Sequence, residues 1–177
     1  GFKELYGLAY RTDYDLKNHS EKSGKDLKYT DLKTSERFFP HVIEPSFGLE
    51  RTILAILSEA YCEEEIRGVK RVVLRFRPSL APIKVAVFPL LANKPELVKK
   101  AKEVYRILKP NFVIAWDDRG NIGKRYYSQD ETGTPYCLTI DFDSLEKNDV
   151  TVRERDTMKQ KRVKIKELVD YLNNKLK

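Results

Sequence analysis

The chain has 177 residues, of which 41% are hydrophobic and 34% charged, and its formal net charge is +7. This is enough apolar material for one domain or two small ones, and no stretch approaches the roughly 20 uninterrupted apolar residues of a membrane-spanning helix. The charge is uneven, since residues 1–66 hold 9 basic and 13 acidic side chains (net −4) and residues 67–177 hold 25 and 14 (net +11). We therefore expect two units, of which the second attracts a polyanion, and no membrane partner.

The sequence starts at Gly1 without an initiator Met or an apolar signal segment, and we expect it to come from the middle of a longer polypeptide. Cys62 and Cys137 are far apart and lack a CxxC or His partner at metal-binding spacing. Isolated cysteines of this kind are typical of free thiols in a reducing compartment. We therefore predict a cytoplasmic protein without disulfide bonds.

In the first unit, apolar periodicity and turn residues predict two strands and two helices around a polar loop. The second helix carries its apolar residues on one broad face. The predicted elements are a strand at 4–10, a helix that Thr12 or Asp13 caps and Gly24 ends, a loop at 25–38, a strand at 41–44 that Pro45 ends, and a helix from Gly48 to about Glu64.

A boundary is expected within residues 66–82, where Pro78 and Pro82 bracket a rigid connector, and the predicted domains are 1–78 and 79–177. Beyond it, the order of elements predicts an α/β unit with a mixed sheet of about five strands and three helices. The predicted elements of this unit are strands at 84–88, 112–116, 136–142 and 149–155, and helices at 95–108, 122–131 (ended by Gly133) and 162–177, whereas 71–76 is predicted as a last strand of the first unit.

The clearest chemical pattern is the segment 41–57, HVIEPSFGLERTILAIL. It is a strand ending at Glu44, a Pro-Ser-Phe-Gly turn and a helix whose first turn holds Arg51. Gly48 allows the backbone to come close to a bound group, and Arg51 lies where the helix dipole favours an anion. This arrangement suits a cation-bound polyphosphate. Glu44 and Arg51 would equally form an ion pair across the turn, and the pattern leaves both interpretations open.

This segment resembles motif 3 of class II aminoacyl-tRNA synthetases, in which a Gly-apolar-Glu-Arg signature opens the helix after a long strand. The run EPSFGLER is similar to the version in glycyl-tRNA synthetases of the archaeal and eukaryotic type. The resemblance implies that residues 1–78 are the end of an antiparallel-sheet catalytic domain. It also implies catalytic roles for Arg51 at the ATP phosphates and Glu44 at the ATP and Mg²⁺ site, with Ser46 at the amino group of glycine.

The first strand agrees, since FKELYGLA at 2–9 resembles the W-x-E-x-x-G-x-A strand of the same family. The residues from Arg11 to His19 resemble its R-x-x-Y-D-L-x-x-H run, although Phe2 replaces the usual Trp and Tyr10 replaces an Asp or Asn. The resemblance implies that Glu4 binds the ammonium group of glycine. Because glycine has no side chain, its selection must come from binding that group and excluding anything larger.

The second unit resembles the anticodon-binding domain shared by glycyl-, threonyl-, prolyl- and histidyl-tRNA synthetases, on the runs LAPIKV at 80–85, IGKRY at 122–126, DETG at 130–133, TID at 139–141 and VRERD at 152–156. A helix that begins near Gly123 presents its first-turn cations to phosphate, and aromatic rings among basic residues stack on unpaired bases. A charged run of this kind is also typical of an internal salt-bridge network. The candidate tRNA contacts are Lys124, Arg125, Tyr126, Tyr127, Arg153 and Arg155.

Together the resemblances predict a glycine–tRNA ligase, which forms glycyl-adenylate from glycine and ATP and passes glycine to the 3′ end of tRNA(Gly). The expected partners are ATP with Mg²⁺, glycine and tRNA(Gly), and the full-length enzyme is expected to be a homodimer. Motifs 1 and 2 of the class are not in this sequence, so we expect the chain alone to be inactive. The alternatives are a non-catalytic synthetase-like nucleic-acid-binding subunit and a class II synthetase for another amino acid.

Overall fold

A computed structural model describes residues 3–66 and 68–177, and the chain divides into two compact units, Gly1–Ala55 and Ile56–Lys177. The division falls before the boundary expected near residue 78, and the assignment of 1–78 and 79–177 to two domains stays a prediction. Phe2, which the sequence comparison with the family singled out, lies outside the described residues. Within the described ranges, no helix is both long and apolar enough to cross a membrane.

The first unit is built on an antiparallel ribbon of two strands, β1 and β4. The elements in chain order are β1 (Tyr6–Thr12), α1 (Tyr14–Ser23), β2 (Tyr29–Thr30), β3 (Arg37–Phe38), β4 (Val42–Phe47) and the start of α2 (Leu49–Ala60). Helix α1 ends at Gly24, whose φ of 69° is left-handed, as predicted. The segment predicted as a loop contains the short β2–β3 pair.

Strand β4 does not end at Pro45, so that prediction was wrong. The strand continues to Phe47, with Pro45 opposite Leu8 of β1. Proline is tolerated in a strand where its missing N–H faces away from the partner strand, which a two-stranded ribbon allows on one side of each strand. The register sets Gly7 opposite Ser46 and Ala9 opposite Glu44.

The first unit has no interior of its own among the described residues, because none between Lys3 and Ala55 is buried. The ribbon face that carries Leu8, Ile43 and Phe47 is exposed, these side chains being 76%, 66% and 71% accessible. A two-stranded ribbon with an uncovered apolar face is marginally stable in water by itself. This unit therefore depends on apolar cover that its own residues do not supply.

Helix α2 ends at Ala60, and the prediction of a helix to Glu64 was wrong. Residues Tyr61–Ile66 form β5, which pairs with β6 (Val69–Leu74) in a hairpin. The glutamates at 63–65 are good helix formers, but the hairpin sets Glu64 directly opposite Arg71, with which it forms an ion pair. Tertiary pairing thus overrides local propensity here.

The second unit contains a mixed five-stranded sheet, as predicted. Its strands are β7 (Val85–Pro89), β8 (Ile114–Trp116), β9 (Tyr136–Ile140), β10 (Asp149–Glu154) and β11 (Gln160–Lys164), in the order β11-β10-β9-β7-β8. Strands β9, β7 and β8 are parallel, and β10 and β11 are antiparallel additions.

Strand β11 lies where the sequence predicted the start of the terminal helix at 162, so that boundary was wrong. Val163 is buried and pairs with Val150 of β10. The helix α6 (Leu168–Lys175) follows only after a 3₁₀ turn at Ile165–Glu167.

Helices cover both faces of the sheet. They are α3 (Pro95–Leu108), α4 (Ile122–Thr132), the unpredicted α5 (Phe142–Lys147) and α6. Leu97 of α3 and Leu168 of α6 join the main core with Val87 on one face. Tyr126 of α4 packs on the opposite face against Phe88 and Cys137. Asp141 ends β9 early because its carboxylate caps α5 in a capping box with Ser144.

A buried ion network joins the hairpin, α4 and β10. Asp130 is fully buried and accepts from Arg71 Nε at 2.9 Å and from Arg153 Nη1 and Nη2 at 2.9 and 3.0 Å. Arg71 also pairs with Glu64 and donates to the Arg155 carbonyl at 2.6 Å. Burial alone would lower the pKa of Arg71, but its bonds with Asp130 and Glu64 outweigh this and the net shift is upward.

We predict that Asp130→Asn destabilises the chain by about 3–5 kcal/mol, because it removes the negative partner from two buried guanidinium groups. Urea unfolding followed by circular dichroism measures the change. The matched control is Glu131→Gln at the exposed neighbouring position, which should stay within about 0.5 kcal/mol of the wild type. Equal unfolding midpoints for the two variants would show that the buried carboxylate adds no net stability.

Candidate functional site

A carboxylate and a hydroxyl converge on the backbone of Gly7 in β1. A Cβ placed on Gly7 would lie 2.7 Å from Ser46 Oγ and 3.3 Å from Glu4 Oε1. Glu44 and Ser46 alternate along β4 and therefore share one face of the ribbon, opposite the small residues Ala9 and Gly7. A larger residue at position 7 would bring its Cβ too close to Ser46 Oγ, so the serine side chain or the strand would have to move. The arrangement suits a small cationic group.

Glu44 is held by Arg11, which the sequence analysis had not assigned a role. The Nε and Nη2 atoms of Arg11 donate to the two carboxylate oxygens of Glu44 at 3.0 and 3.3 Å, and Asp15 lies 3.7 Å from the same guanidinium. The hydrogen bond that Arg11 donates to Glu44, followed by the negative charge of Glu44, raises the pKa of Arg11. Both groups are about half exposed. The pair is thus open to solvent and to a further ligand.

Arg51 does not pair with Glu44, so the ion pair across the turn is not formed. Its Nη1 atom donates to the backbone carbonyl of Glu4 at 2.6 Å, and the side chain is otherwise exposed. Gly48 approaches closely here, since a Cβ on it would lie 3.4 Å from the carbonyl oxygen of Leu5. The first turn of α2 is thereby fixed to the residues that precede β1, and Arg51 lies beside the backbone of Glu4.

No group of three or more His, Cys, Asp or Glu side chains within residues 3–66 and 68–177 is placed to hold a metal ion. Glu44 can therefore supply one carboxylate ligand and no complete protein cage. Mg²⁺ commonly binds in that way, with one or two carboxylates while substrate phosphates and water supply the remaining ligands. The chemistry of the donor set fits an ion that arrives with a polyphosphate.

In the second unit, the first turn of α4 holds two adjacent cations, of which one is exposed and the other is buried. Lys124 is exposed, and its backbone N–H is capped by the side chain of Asn121 at 2.9 Å. Arg125 is 2% exposed and donates to four carbonyls. These are Pro89 O (2.6 Å), Gly120 O (2.8 Å), Arg119 O (3.0 Å) and Asp118 O (3.1 Å). Arg125 therefore ties the end of β7 to the loop that follows β8.

This loop lies at a ligand-binding position of α/β sheets. Strand β7 is followed by α3 on one face and β8 by α4 on the other, so a crevice opens between their carboxyl ends. The loop also holds Arg119, whose side chain is 90% exposed. Sequence reasoning did not single out Arg119, because its access to solvent depends on how Arg125 folds the loop.

Tyr126 lies in the interior beside β9. Its hydroxyl is 2.6 Å from Thr139 Oγ1, and the Arg153 guanidinium lies over its ring at 4.7 Å from the centroid. Burial raises the pKa of Tyr126. Its neighbour Tyr127 is exposed and is the aromatic side chain on this helix that is open to stacking.

Arg153 and Arg155 lie at the other edge of the sheet from Lys124, since the carboxyl end of β10 pairs with the amino end of β9. Both are buried. Arg153 bonds Asp130, and Arg155 donates to Gly133 O at 2.8 Å and Phe76 O at 2.7 Å. The structure therefore does not bring the six candidate RNA contacts together. Their contact with RNA stays a prediction.

Residues 84–175 match the family described as anticodon binding domain. A "Glycine--tRNA ligase" of Clostridium acetobutylicum is 53% identical over 178 residues, covering 100% of this chain and 38% of the relative. Proteins of the same name from Caldanaerobacter subterraneus subsp. tengcongensis and Staphylococcus epidermidis are each 51% identical, with the same coverage. The chain thus spans about 38% of the length of these relatives.

A solved structure has the same fold. It is the prolyl-tRNA synthetase from Cryptosporidium parvum complexed with L-proline and AMP, which aligns with a TM-score of 0.71 at 20% identity and covers 97% of this chain and 35% of that one. At this identity the likeness concerns the fold alone. It agrees with the fold predicted from the sequence.

We predict that Arg125→Gln destabilises the second unit by about 2 kcal/mol or more, because four carbonyls lose a buried donor. Amide hydrogen exchange in residues 117–121 should become faster, which mass spectrometry measures. The control is Lys124→Gln, the same charge change one residue earlier at an exposed position, which should leave both readouts unchanged. If both variants exchanged at the wild-type rate, Arg125 would not be what holds the loop.

Proposed function

The chain belongs to the family of anticodon-binding domains, and we propose that it is the C-terminal part of a class II glycyl-tRNA synthetase. The observation that carries the proposal is the 51–53% identity to glycine–tRNA ligases along its whole length. The uncovered apolar ribbon of residues 3–55 supports a first unit that forms part of a larger catalytic domain.

In the complete enzyme the carboxylate of glycine would attack the α-phosphate of ATP, which gives glycyl-adenylate and releases pyrophosphate. The glycyl group would then pass to the 3′ end of tRNA(Gly). Neither step needs a protein nucleophile, so positioning of the reactants and stabilisation of charge supply the catalysis. We propose that this reaction takes place in the cytoplasm and that the complete enzyme is a homodimer.

We propose that Glu4 and Ser46 bind the ammonium group of glycine beside Gly7. The carboxylate would accept a charge-assisted hydrogen bond from the ammonium, and the Ser46 hydroxyl would accept a second. Because Gly7 has no side chain, the Ser46 hydroxyl and the Glu4 carboxylate can come close to the backbone of β1, where a Cβ would displace them. Selection of glycine then depends on how little room remains around its α-carbon.

For ATP, we propose that Arg51 contacts the phosphates and that Glu44 lies at the metal-bearing side of the nucleotide. Arg11, which holds both oxygens of Glu44, orients this carboxylate. A bound Mg²⁺ would neutralise phosphate charge, with Glu44 as one ligand and phosphate oxygens among the others. The half-exposed Arg11–Glu44 pair leaves the outer side of the carboxylate open for this contact.

For tRNA, we propose that the carboxyl edge of the five-stranded sheet receives the anticodon. Lys124 and Tyr127 are the candidates for direct contact with phosphate and base. The other four candidates would act indirectly, by fixing α4 and the loop before it. They are Arg125, Tyr126, Arg153 and Arg155.

The alternative from another class is a non-catalytic synthetase-like subunit that binds nucleic acid. The net charge of +11 on residues 67–177 favours nucleic-acid binding under either function. The polar cluster at Gly7 favours the enzyme, because the Glu4 carboxylate and the Ser46 hydroxyl together suit a small ammonium group.

We predict that Gly7→Ala in the full-length enzyme lowers kcat/KM for glycine by about 10- to 100-fold, mainly through KM, because the added methyl group displaces Ser46 and Glu4 from the ammonium group. Glycine-dependent ATP–pyrophosphate exchange measures this, and the KM for ATP should change little.

The control is Gly123→Ala in the second unit, where the added Cβ would meet only the Asn121 side chain at 3.4 Å. The first step of the reaction needs no tRNA, so this change should not affect it. The control variant should keep the wild-type exchange rate. Wild-type protein without any glycine-dependent exchange would favour the binding subunit, and unchanged kinetics in Gly7→Ala would move the glycine site elsewhere.

We predict that this 177-residue chain binds tRNA(Gly) more tightly than the same tRNA with a substituted anticodon, and that the preference persists when salt is raised. Base contacts carry sequence information, and added salt weakens them less than it weakens phosphate contacts. Fluorescence anisotropy at two salt concentrations provides the measurement. Equal affinities that both collapse with salt would mean that the basic unit is only an electrostatic surface.

A further inference from the structure

The exposed side of α3 is divided into two stripes of different charge. Glu96, Lys100, Glu103 and Ile107 form a mixed stripe, in which Lys100 pairs with Glu103 at 3.1 Å. The other stripe, which we call the basic stripe, contains only cations. Its members are Lys99, Lys102, Arg106 and, one residue past the helix end, Lys109.

The basic stripe is unfavourable for the helix itself. Its residues are spaced three and four apart, where like charges repel one another across one turn. The helix dipole stabilises cations only in the last turn, which accounts for Arg106 and Lys109 but not for Lys99 and Lys102. Within the part of the chain that the structure describes, none of the four side chains forms an ion pair or hydrogen bond with another residue. The fold therefore gives no structural reason for this charge.

The stripe borders a shallow groove that is open to solvent. The groove has a volume of about 400 Å³ and is lined by Ala92, Pro95, Val98, Lys99, Lys102 and Arg106. At 1.5 Å per residue the stripe is about 15 Å long. A double-stranded nucleic acid presents one phosphate charge for roughly every 1.7 Å of its axis, so several phosphates fit along this length.

The stripe is also placed near the proposed anticodon site without overlapping it. Helix α3 packs on one face of the sheet and α4 on the other. Both helices follow parallel strands, so both begin at the carboxyl edge, where Lys124 and Arg119 lie. An RNA whose loop is held at this edge can continue along α3.

We propose that the basic stripe of α3 binds the phosphate backbone of the stem adjoining the RNA loop held at α4, an inference that rests on the proposed function. The proposed ligand is duplex RNA, because its closely spaced phosphates can pair with the four cations of the stripe, which have no partner among the described residues. The groove offers no acceptor or aromatic side chain with which to read a base. The stripe therefore adds affinity without sequence preference.

The test is the variant Lys99→Gln/Lys102→Gln/Arg106→Gln, compared with Lys159→Gln/Lys166→Gln/Lys175→Gln, which removes the same charge at exposed positions outside α3. Affinity for tRNA(Gly) and for its anticodon-substituted form is measured by fluorescence anisotropy at several salt concentrations. The stripe variant should reduce the slope of log affinity against log salt by about 2 for both RNAs. The ratio of their affinities should stay at the wild-type value, and the control should keep the wild-type slope.

If the stripe variant kept the wild-type slope of log affinity against log salt, the proposal would be overturned. The proposed function would still stand if the wild type preferred the native anticodon. Equal slope losses in the stripe variant and the control would overturn the proposal for the stripe too, because net charge rather than the stripe would then be responsible. A wild-type chain that does not bind tRNA at low salt would overturn both the stripe and the proposed function.

Discussion

The buried carboxylate of Asp130 is the point on which the arrangement of the second unit depends. It is the shared partner of Arg71 from the hairpin and Arg153 from the sheet, and it lies on α4 itself. Without it, Arg153 would carry an uncompensated buried charge and Arg71 would keep only Glu64 as its ion-pair partner. The other end of α4 is fixed by Arg125 and its four carbonyl acceptors. The helix that presents Lys124 is thus held at both ends, and the position of that lysine follows from interactions that never touch a ligand.

Arginine and lysine have different tasks in this unit. Arg71, Arg125 and Arg155 are buried and satisfy carbonyl and carboxylate oxygens from several segments at once, which the planar guanidinium with its five donors allows. Lys99 and Lys124 remain in solvent as compact charges. The net charge of the sequence therefore exceeds the charge available to a partner, because much of the arginine contribution is used to hold the fold together. A charge count separates the two units, but it does not identify the binding residues.

The sequence predicts features that depend on local pattern and not those that depend on pairing. Helix α3 with its N-terminal proline and the left-handed Gly133 after α4 follow from local rules, and both are present as predicted. Strand β5 could not be predicted, because its glutamates favour a helix until β6 pairs with them. The same limit applies to the candidate site. Glu44 and Ser46 share a face only because β4 continues past Pro45, and Arg11 and Gly7 gain their roles only from the register of β1 against β4.

The two units differ in what they can do alone, and burial explains the difference. Residues 56–177 enclose a continuous core between sheet and helices, so the groups that we propose to contact RNA are held by contacts within this chain. The cluster of Glu4, Gly7 and Ser46 lies on a ribbon with no buried residue, and small motions of two strands would change the distances around Gly7. Catalysis needs reacting groups held within fractions of an ångström, whereas phosphate binding tolerates looser geometry. Under the proposed function, binding of RNA is therefore the property that we expect of this chain by itself, and amino-acid activation is the property that we expect only where the apolar ribbon is covered.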